Sequence, residues 1–240
     1  MFMCSTITDI AHRLHEYRKK LNKTQEEMGQ SLDVSQSQYN KLENGQHIIS
    51  FHSLQYFRKE GGDVYYLITG KEYQPGILDN YIEQCHTSQE AAQFLKLIIW
   101  VTEQGMNKVN FHEKRELTQM WKYISLAENE YILENIWINI RKAENLSQLQ
   151  MAELMDIDIK RYRRLEKMLS MPDAAVLATL YEKLSYSPLL FLENHLYYSD
   201  AINRIWESFP ESLSEKLIHL LDEGLCLLQL PPALQNDCRT

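Results

Sequence analysis

The chain has 240 residues, 44% of them hydrophobic and 24% charged, a composition typical of a globular protein of one to three domains. Its longest apolar stretch, near residues 94–101, is too short to span a bilayer, and the N-terminus lacks the pattern of a signal peptide. We therefore expect a cytoplasmic protein that makes no membrane contact. Glycine, proline and alternating valine-rich runs are scarce, which favours an all-α fold.

The net charge of −8 is concentrated in two stretches of the chain. Residues 71–130 hold 6 basic and 9 acidic residues, and residues 196–240 hold 3 and 7. The stretches 1–70 and 131–195 are close to neutral. Because the charge of a local face sets the field that a partner meets, the acidic total does not exclude binding to DNA.

The residue types that carry catalysis or bind metals form no motif in this sequence. The four cysteines have no close spacing, which predicts reduced thiols. There is no His-x-x-x-His pair and no nucleophile elbow. We therefore expect no catalytic residues, no metal site and no cofactor, and hence no enzyme.

Capping patterns divide residues 1–70 into five predicted helices. Apolar residues at helical spacing predict the first helix over residues 6–21. Thr24–Glu27 and Ser35–Gln38 are capping boxes, which predict the starts of the second and third helices. Gly45 ends the third helix, because glycine readily takes the left-handed conformation. The remaining two helices are one capped by Ser50 and one over residues 64–68.

Helical spacing continues through the connector and the tail. In the connector, residues 88–103 and 111–126 predict helices that Gln104-Gly105 separates. The apolar face around residues 94–101 is either core, with Trp100 buried, or a dimer surface. The tail predicts two helices, over residues 201–209 and 212–228.

The pattern of the first seventy residues recurs 123 residues later without a gap, which indicates a duplicated structural unit. The clearest matches are Arg18 and Arg141, Gln25 and Gln148, Tyr39 and Tyr162, Leu42 and Leu165, and Glu43 and Glu166. In the second copy Ser147 opens a capping box, and Asp158 and Asp173 cap the third and fourth helices. The predicted parts are a first module (1–70), a helical connector (71–130), a second module (131–195) and C-terminal helices with a tail (196–240).

Five segments of the first module together carry a family resemblance. They are Arg18, Thr24-Gln25-Glu26-Glu27-Met28, Val34-Ser35, Leu42-Glu43-Asn44-Gly45 and Tyr66-Leu67-Ile68-Thr69-Gly70. With these residues the module resembles the lambda-repressor-like helix-turn-helix domain of the Cro/C1 or XRE type, and the second module resembles it more weakly. The resemblance implies two five-helix domains, each with its third helix in the DNA major groove, in a transcriptional regulator that binds double-stranded DNA.

The resemblance also implies which side chains of the first module contact DNA. Gln25 lies in the first turn of the second helix, where free N–H groups attract a phosphate. Glutamine and lysine on the third helix can bond base edges, and Thr24 and Asn44 are placed for backbone contacts. The candidate base-reading residues of the third helix are Gln36, Ser37, Gln38 and Lys41.

In the second module the corresponding third helix is more basic. Gln148 matches Gln25, and the helix carries the cations Lys160, Arg161, Arg163 and Arg164. These cations either neutralise phosphates, which would make binding strongly salt-dependent, or form an ordinary charged face that pairs with neighbouring acids. Two ion pairs, Arg18 with Glu43 and Arg141 with Glu166, match the pair that in this family links the first helix to the end of the third.

Two departures from the family pattern concern the end of the third helix. Residues 46–49 lack the lysine or arginine that many relatives carry there for phosphates. In the second module Met168 replaces Gly45, and methionine is strained in a left-handed cap. We therefore expect the third helix of the second module to end differently.

Two hypotheses for function follow. In the first, both modules contact DNA, so that one chain, or a homodimer, covers separate half-sites about one helical turn apart. In the second, only the first module contacts DNA, and the second module is a dimerisation surface or binds a partner protein. The sequence identifies no effector ligand or peptide.

Overall fold

The computed structural model describes residues 2–72, 88–109, 136–192 and 199–229, and the single positions 78, 80, 81, 84, 85 and 117. All regular structure in these residues is helical, which confirms the all-α class. The helices are α1 (Phe2–Lys20), α2 (Gln25–Ser31), α3 (Gln36–Glu43), α4 (Phe51–Lys59), α5 (Val64–Thr69), α6 (Ser88–Lys108), α7 (Ile136–Ala143), α8 (Gln148–Leu154), α9 (Ile159–Glu166), α10 (Ala174–Leu184), α11 (Leu189–Leu192), α12 (Ser199–Glu207) and α13 (Glu211–Gln229). No helix of the described residues is long and apolar enough to cross a membrane.

The described residues form two compact bodies. The larger body holds residues 2–72, 136–141 and 145–192, which include most of both predicted modules. The smaller body holds residues 88–109, 142–144 and 199–229. The predicted boundaries at residues 70, 130 and 195 stay predictions.

The helices of the first module begin at the predicted caps. The Thr24 hydroxyl accepts a hydrogen bond from the Glu27 N–H (3.2 Å), and the Glu27 carboxylate accepts one from the Thr24 N–H (2.7 Å). Ser35 and Gln38 form the same reciprocal pair at the start of α3. Both capping boxes are therefore confirmed, and together they set the α2–turn–α3 geometry.

The helices of the second module start at the same interval as the matching residues. α8, α9 and α10 begin 123 residues after α2, α3 and α4. Left-handed backbone recurs at this interval too, at Asn22 and Asn145, Asp33 and Asp156, and Gly45 and Met168. Met168 has a φ of 53°, against 67° for Gly45. The prediction that the third helix of the second module ends differently is therefore wrong, because Met168 adopts the strained conformation at a cost of about 1–2 kcal/mol.

The second module packs directly on the first through α10. Ala174, Leu177 and Ala178 are at most 2% exposed and belong to the same apolar core as the first module. The backbone N–H of Ala174 also donates to the carbonyl of Ile49 (3.1 Å). α10 thus packs against α1 and α5 as part of the core of the first module, which we call the shared core.

The hydroxyls of two tyrosines add a polar link between the modules. The hydroxyl of Tyr65 on α5 lies 2.9 Å from that of Tyr181 on α10, and the two rings meet edge to face. Because this link and the backbone bond lie beside apolar contacts, α10 is held in one orientation on the first module.

In the smaller body, two predictions about α6 are wrong. The helix runs through Gln104-Gly105 to Lys108 instead of ending there. A Cβ at Gly105 would lie 2.6 Å from the Phe209 ring and 2.8 Å from Leu217, so this glycine permits close packing and does not break the helix. Trp100 is 47% exposed, and the core is formed by its neighbours in the sequence. The predicted helix over residues 111–126 lies outside the described residues, apart from Leu117.

The shared core predicts that a change in α10 destabilises the first module as well. Leu177→Ala should lower the free energy of unfolding by about 2–5 kcal/mol, because it leaves a cavity in a fully buried site. Urea unfolding followed by circular dichroism measures this loss. Leu149→Ala, at a residue 56% exposed, is the matched control and should change stability by less than about 0.5 kcal/mol. A stable first module that unfolds separately in the Leu177→Ala variant would contradict the shared core.

Candidate nucleic-acid interface

A buried carboxylate joins three elements of the first module. The Glu43 side chain at the end of α3 is 3% exposed and pairs with Arg18 of α1, whose Nε lies 2.6 Å from Oε1. It also accepts hydrogen bonds from the Gln25 amide (2.8 Å) and the Tyr39 hydroxyl (3.1 Å). Arg18 in turn donates to the carbonyl of Lys23 in the loop between α1 and α2 (2.9 Å). These bonds fix α3 relative to α1 and α2.

The electrostatics of this network favour the ionised carboxylate. Burial alone would raise the pKa of Glu43, but the hydrogen bonds from Arg18, Gln25 and Tyr39 outweigh burial and lower the pKa to about 2. Burial together with the nearby carboxylate raises the pKa of the Tyr39 phenol, which therefore stays a hydrogen-bond donor. The network is thus charged and fully bonded at neutral pH.

The second module contains a matching network. Glu166 at the end of α9 is 6% exposed and accepts hydrogen bonds from Arg141 Nε and the Gln148 amide, both at 2.5 Å. Arg141 also donates to the carbonyl of Leu146 (3.2 Å), as Arg18 does to that of Lys23. The arginine and glutamine bonds that orient the third helix are therefore the same in both modules, whereas the Tyr162 hydroxyl donates to the carbonyl of Trp137 (3.4 Å).

Gln25, predicted to bind a phosphate, already has partners within the protein. Its amide nitrogen donates to Glu43, and its amide oxygen accepts a hydrogen bond from Asn40 (3.2 Å). Asn40 also accepts a hydrogen bond from the predicted backbone contact Asn44 (3.0 Å). Sequence reasoning missed Asn40, although the spacing of Asn40 and Asn44 places them on one face of α3. The amides of Gln25, Asn40 and Asn44 thus form a polar ridge from the start of α2, which Thr24 caps, to the C-terminal end of α3.

The four predicted base-reading residues of α3 are all exposed, but they are not equivalent. The amide oxygen of Gln38 accepts from both the N–H (3.0 Å) and the hydroxyl (3.1 Å) of Ser35, so Gln38 is engaged in the cap. The side chains of Gln36 and Lys41 bond to none of the described residues. With Ser37 they present exposed donors and acceptors on a helix that the Glu43 network holds in place.

The cations of α9 differ in how far they are neutralised. Arg161 pairs with Asp173 at 2.6 Å, and this acid also caps α10. Arg163 donates to the Gln148 amide oxygen (3.2 Å), as Asn40 does to Gln25, and stays exposed. Lys160 and Arg164 are exposed as well. The interpretation that these cations pair with neighbouring acids therefore fits Arg161. The other three cations leave the outer surface of α9 positively charged.

The loop that follows α9 is apolar and exposed. Met168, Leu169 and Met171 are 44%, 64% and 48% exposed. In the first module the positions of Met168 and Leu169 hold Gly45 and Gln46. Scattered exposed apolar residues are normal, but three within four residues indicate a patch. The two modules therefore share a scaffold and differ in the surface that the third helix and its loop present.

A family model described as helix-turn-helix matches residues 14–55. This range runs from α1 into α4 and contains α2, α3 and the Glu43 network. Residues 14–55 form a helix-turn-helix. The resemblance of the first module to the Cro/C1 type is confirmed over this range, while that of the second module stays a prediction. No curated protein and no solved structure matches the chain.

The depressed pKa of Glu43 predicts how the stability of the helix-turn-helix changes with pH. A group whose pKa is lowered by folding stabilises the protein above its unfolded pKa, near 4.5, and loses this contribution as the pH falls to about 2. The contribution at neutral pH should be about 3 kcal/mol, since each pKa unit corresponds to about 1.4 kcal/mol.

Urea unfolding of wild type and Glu43→Gln between pH 2 and 6 tests this prediction. The variant should be less stable at pH 6 and should show a flatter decline towards pH 2. Glu26→Gln, at an exposed position of α2, is the control and should keep the wild-type slope. An unchanged slope in Glu43→Gln would show that this carboxylate does not stabilise the fold.

Proposed function

We propose that the chain is a sequence-specific DNA-binding transcriptional regulator whose helix-turn-helix reads double-stranded DNA through α3. The observation that carries the proposal is the exposed set of Gln36, Ser37 and Lys41 on a helix anchored by a buried ion pair. Glutamine bonds adenine bidentately and lysine reaches guanine O6 and N7. The match of residues 14–55 to a helix-turn-helix family model supports the same function.

We further propose that the protein is not an enzyme and that it acts in the cytoplasm. We expect its DNA-binding form to be a homodimer, in which two copies of the helix-turn-helix contact separate half-sites. The polar ridge of Gln25, Asn40 and Asn44 runs from α2 to the end of α3 and would contact the phosphate backbone, which positions α3 without reading sequence.

For the second module, the exposed surface favours the hypothesis of a protein-binding role. Apolar side chains at Met168, Leu169 and Met171 gain nothing from phosphates, whereas protein interfaces bury such residues. The ion pair of Arg161 with Asp173 also removes one of the four candidate phosphate contacts. The exposed cations Lys160, Arg163 and Arg164 are the observation that favours the alternative, a further DNA contact.

If α3 reads base edges, replacing Gln36 and replacing Gln38 with alanine should have different effects. Gln36→Ala should reduce the preference for the selected operator over random DNA by about 5-fold to 150-fold, because one bidentate base contact discriminates by about 1–3 kcal/mol. Gln38→Ala should mainly lower stability, by about 0.3–1.5 kcal/mol, because it removes the side-chain acceptor at the third position of the capping box.

The measurements are operator selection from random-sequence DNA, titration of labelled operator and control DNA, and urea unfolding. Gln30→Ala, an exposed position of α2, is the control for general effects of removing a glutamine. Unchanged base preference in Gln36→Ala would refute the assignment of α3 as the reading helix.

The role of the second module is tested through the salt dependence of operator binding. Each phosphate contact contributes about 0.9 to the slope of log affinity against log salt. If the second module docks a protein, the double variant Arg163→Ala/Arg164→Ala should keep the wild-type slope. A slope reduced by nearly two would instead place these arginines on DNA and favour the first hypothesis.

A further inference from the structure

The loop after α9 combines apolar exposure with an unfavourable backbone conformation. Met168 has a φ of 53° and is 44% exposed, and Leu169 and Met171 are 64% and 48% exposed. The first module shows that glycine at this position, Gly45, supports the same turn without strain. Among the described residues, neither burial nor backbone geometry therefore accounts for Met168. We call residues 168–171 the apolar loop.

Exposed cations precede the apolar loop along α9, and we call them the positive rim. Lys167 directly precedes it and is exposed, and Arg164 donates to the carbonyl of Leu169 inside it (3.3 Å). Lys160 and Arg163 extend the positive charge along the exposed face of α9. Among the described residues, Asp173 pairs with Arg161 of this helix and not with its other three cations.

We propose that the apolar loop and the exposed cations of α9 form a docking site for an acidic amphipathic helix of a partner protein. This inference rests on the proposed function, in which the second module binds protein, and it names the class of partner. The apolar face of such a helix would cover Met168, Leu169 and Met171, and its carboxylates would meet the rim. Methionine suits this role because its flexible side chain adapts to different apolar surfaces.

Charge complementarity selects this occupant over two others. A second copy of the same surface would bring its own cations against this rim, and like charges oppose such a contact. A DNA backbone would satisfy the cations but leave the apolar loop unpaired in a polar contact zone. An acidic helix with an apolar face satisfies both parts of the surface.

The test uses a fluorescein-labelled synthetic peptide of about five helical turns, with leucine along one face at i, i+3, i+4 and i+7 spacing and with glutamate and alanine sharing the other positions. Fluorescence anisotropy with the full-length protein should show saturable binding that weakens about tenfold as salt is raised from low to physiological strength. A peptide with lysine in place of every glutamate should not bind. Absence of saturable binding by the acidic peptide, or equal binding of both peptides, would overturn the proposal.

Met168→Gly separates docking from folding. It relieves the left-handed methionine, so the urea midpoint should stay equal or rise, while peptide affinity should fall about tenfold with the loss of a buried apolar contact. Leu21→Gln, at a residue 40% exposed in the first module, is the matched control and should leave peptide affinity unchanged. Unchanged affinity in Met168→Gly would overturn the proposal.

Operator titration of the same variants distinguishes this inference from the proposed function. Both variants should bind operator DNA as wild type does, because the reading helix α3 is untouched. Loss of operator binding in Met168→Gly, without loss of stability, would place the apolar loop on DNA and overturn the docking site. Failure of wild type to prefer any DNA sequence would instead count against the helix-turn-helix function.

Discussion

The architecture of the helix-turn-helix depends on one buried carboxylate. Glu43 lies at the end of α3 and accepts hydrogen bonds from α1, from the first turn of α2 and from its own helix. Removing one partner of a buried pair leaves an uncompensated charge, which costs more than the pair contributes. The network therefore both stabilises the fold and fixes the orientation of α3, which sets where the exposed side chains of α3 lie.

The second module has a matching buried network and a different exposed surface. Glu166 has the same bonds to an arginine and a glutamine, so α9 is held as α3 is. The outer surface of α9 and its loop has become basic and apolar, and one cation pairs with the acid that caps α10. α10 in turn completes the core of the first module. In the second module α10 thus has a structural role in the core of the first module, and α9 presents a separate exposed surface.

Local patterns allowed most of the fold to be predicted, because each depends on a few neighbouring residues. The capping boxes at Thr24 and Ser35 and the stop at Gly45 lie where the sequence places them. Long-range packing was not predictable in the same way. Local rules predict that Gly105 breaks a helix. α6 nevertheless continues through Gly105, because Phe209 and Leu217 pack against this glycine. At the candidate site, the exposure of the α3 side chains was predictable from the sequence. The hydrogen bonds of Gln38 to the helix cap and of Asn40 to Gln25 depend on side-chain positions that the sequence pattern does not specify.

Hydrogen exchange of the full-length protein with and without selected operator DNA tests the central claim most directly, because it reports on both modules in one experiment. If the shared scaffold presents a DNA-reading surface only in the first module, operator DNA should slow exchange in α2 and α3 and leave α8 and α9 unchanged. Equal protection of α3 and α9, or protection of α9 alone, would contradict the account.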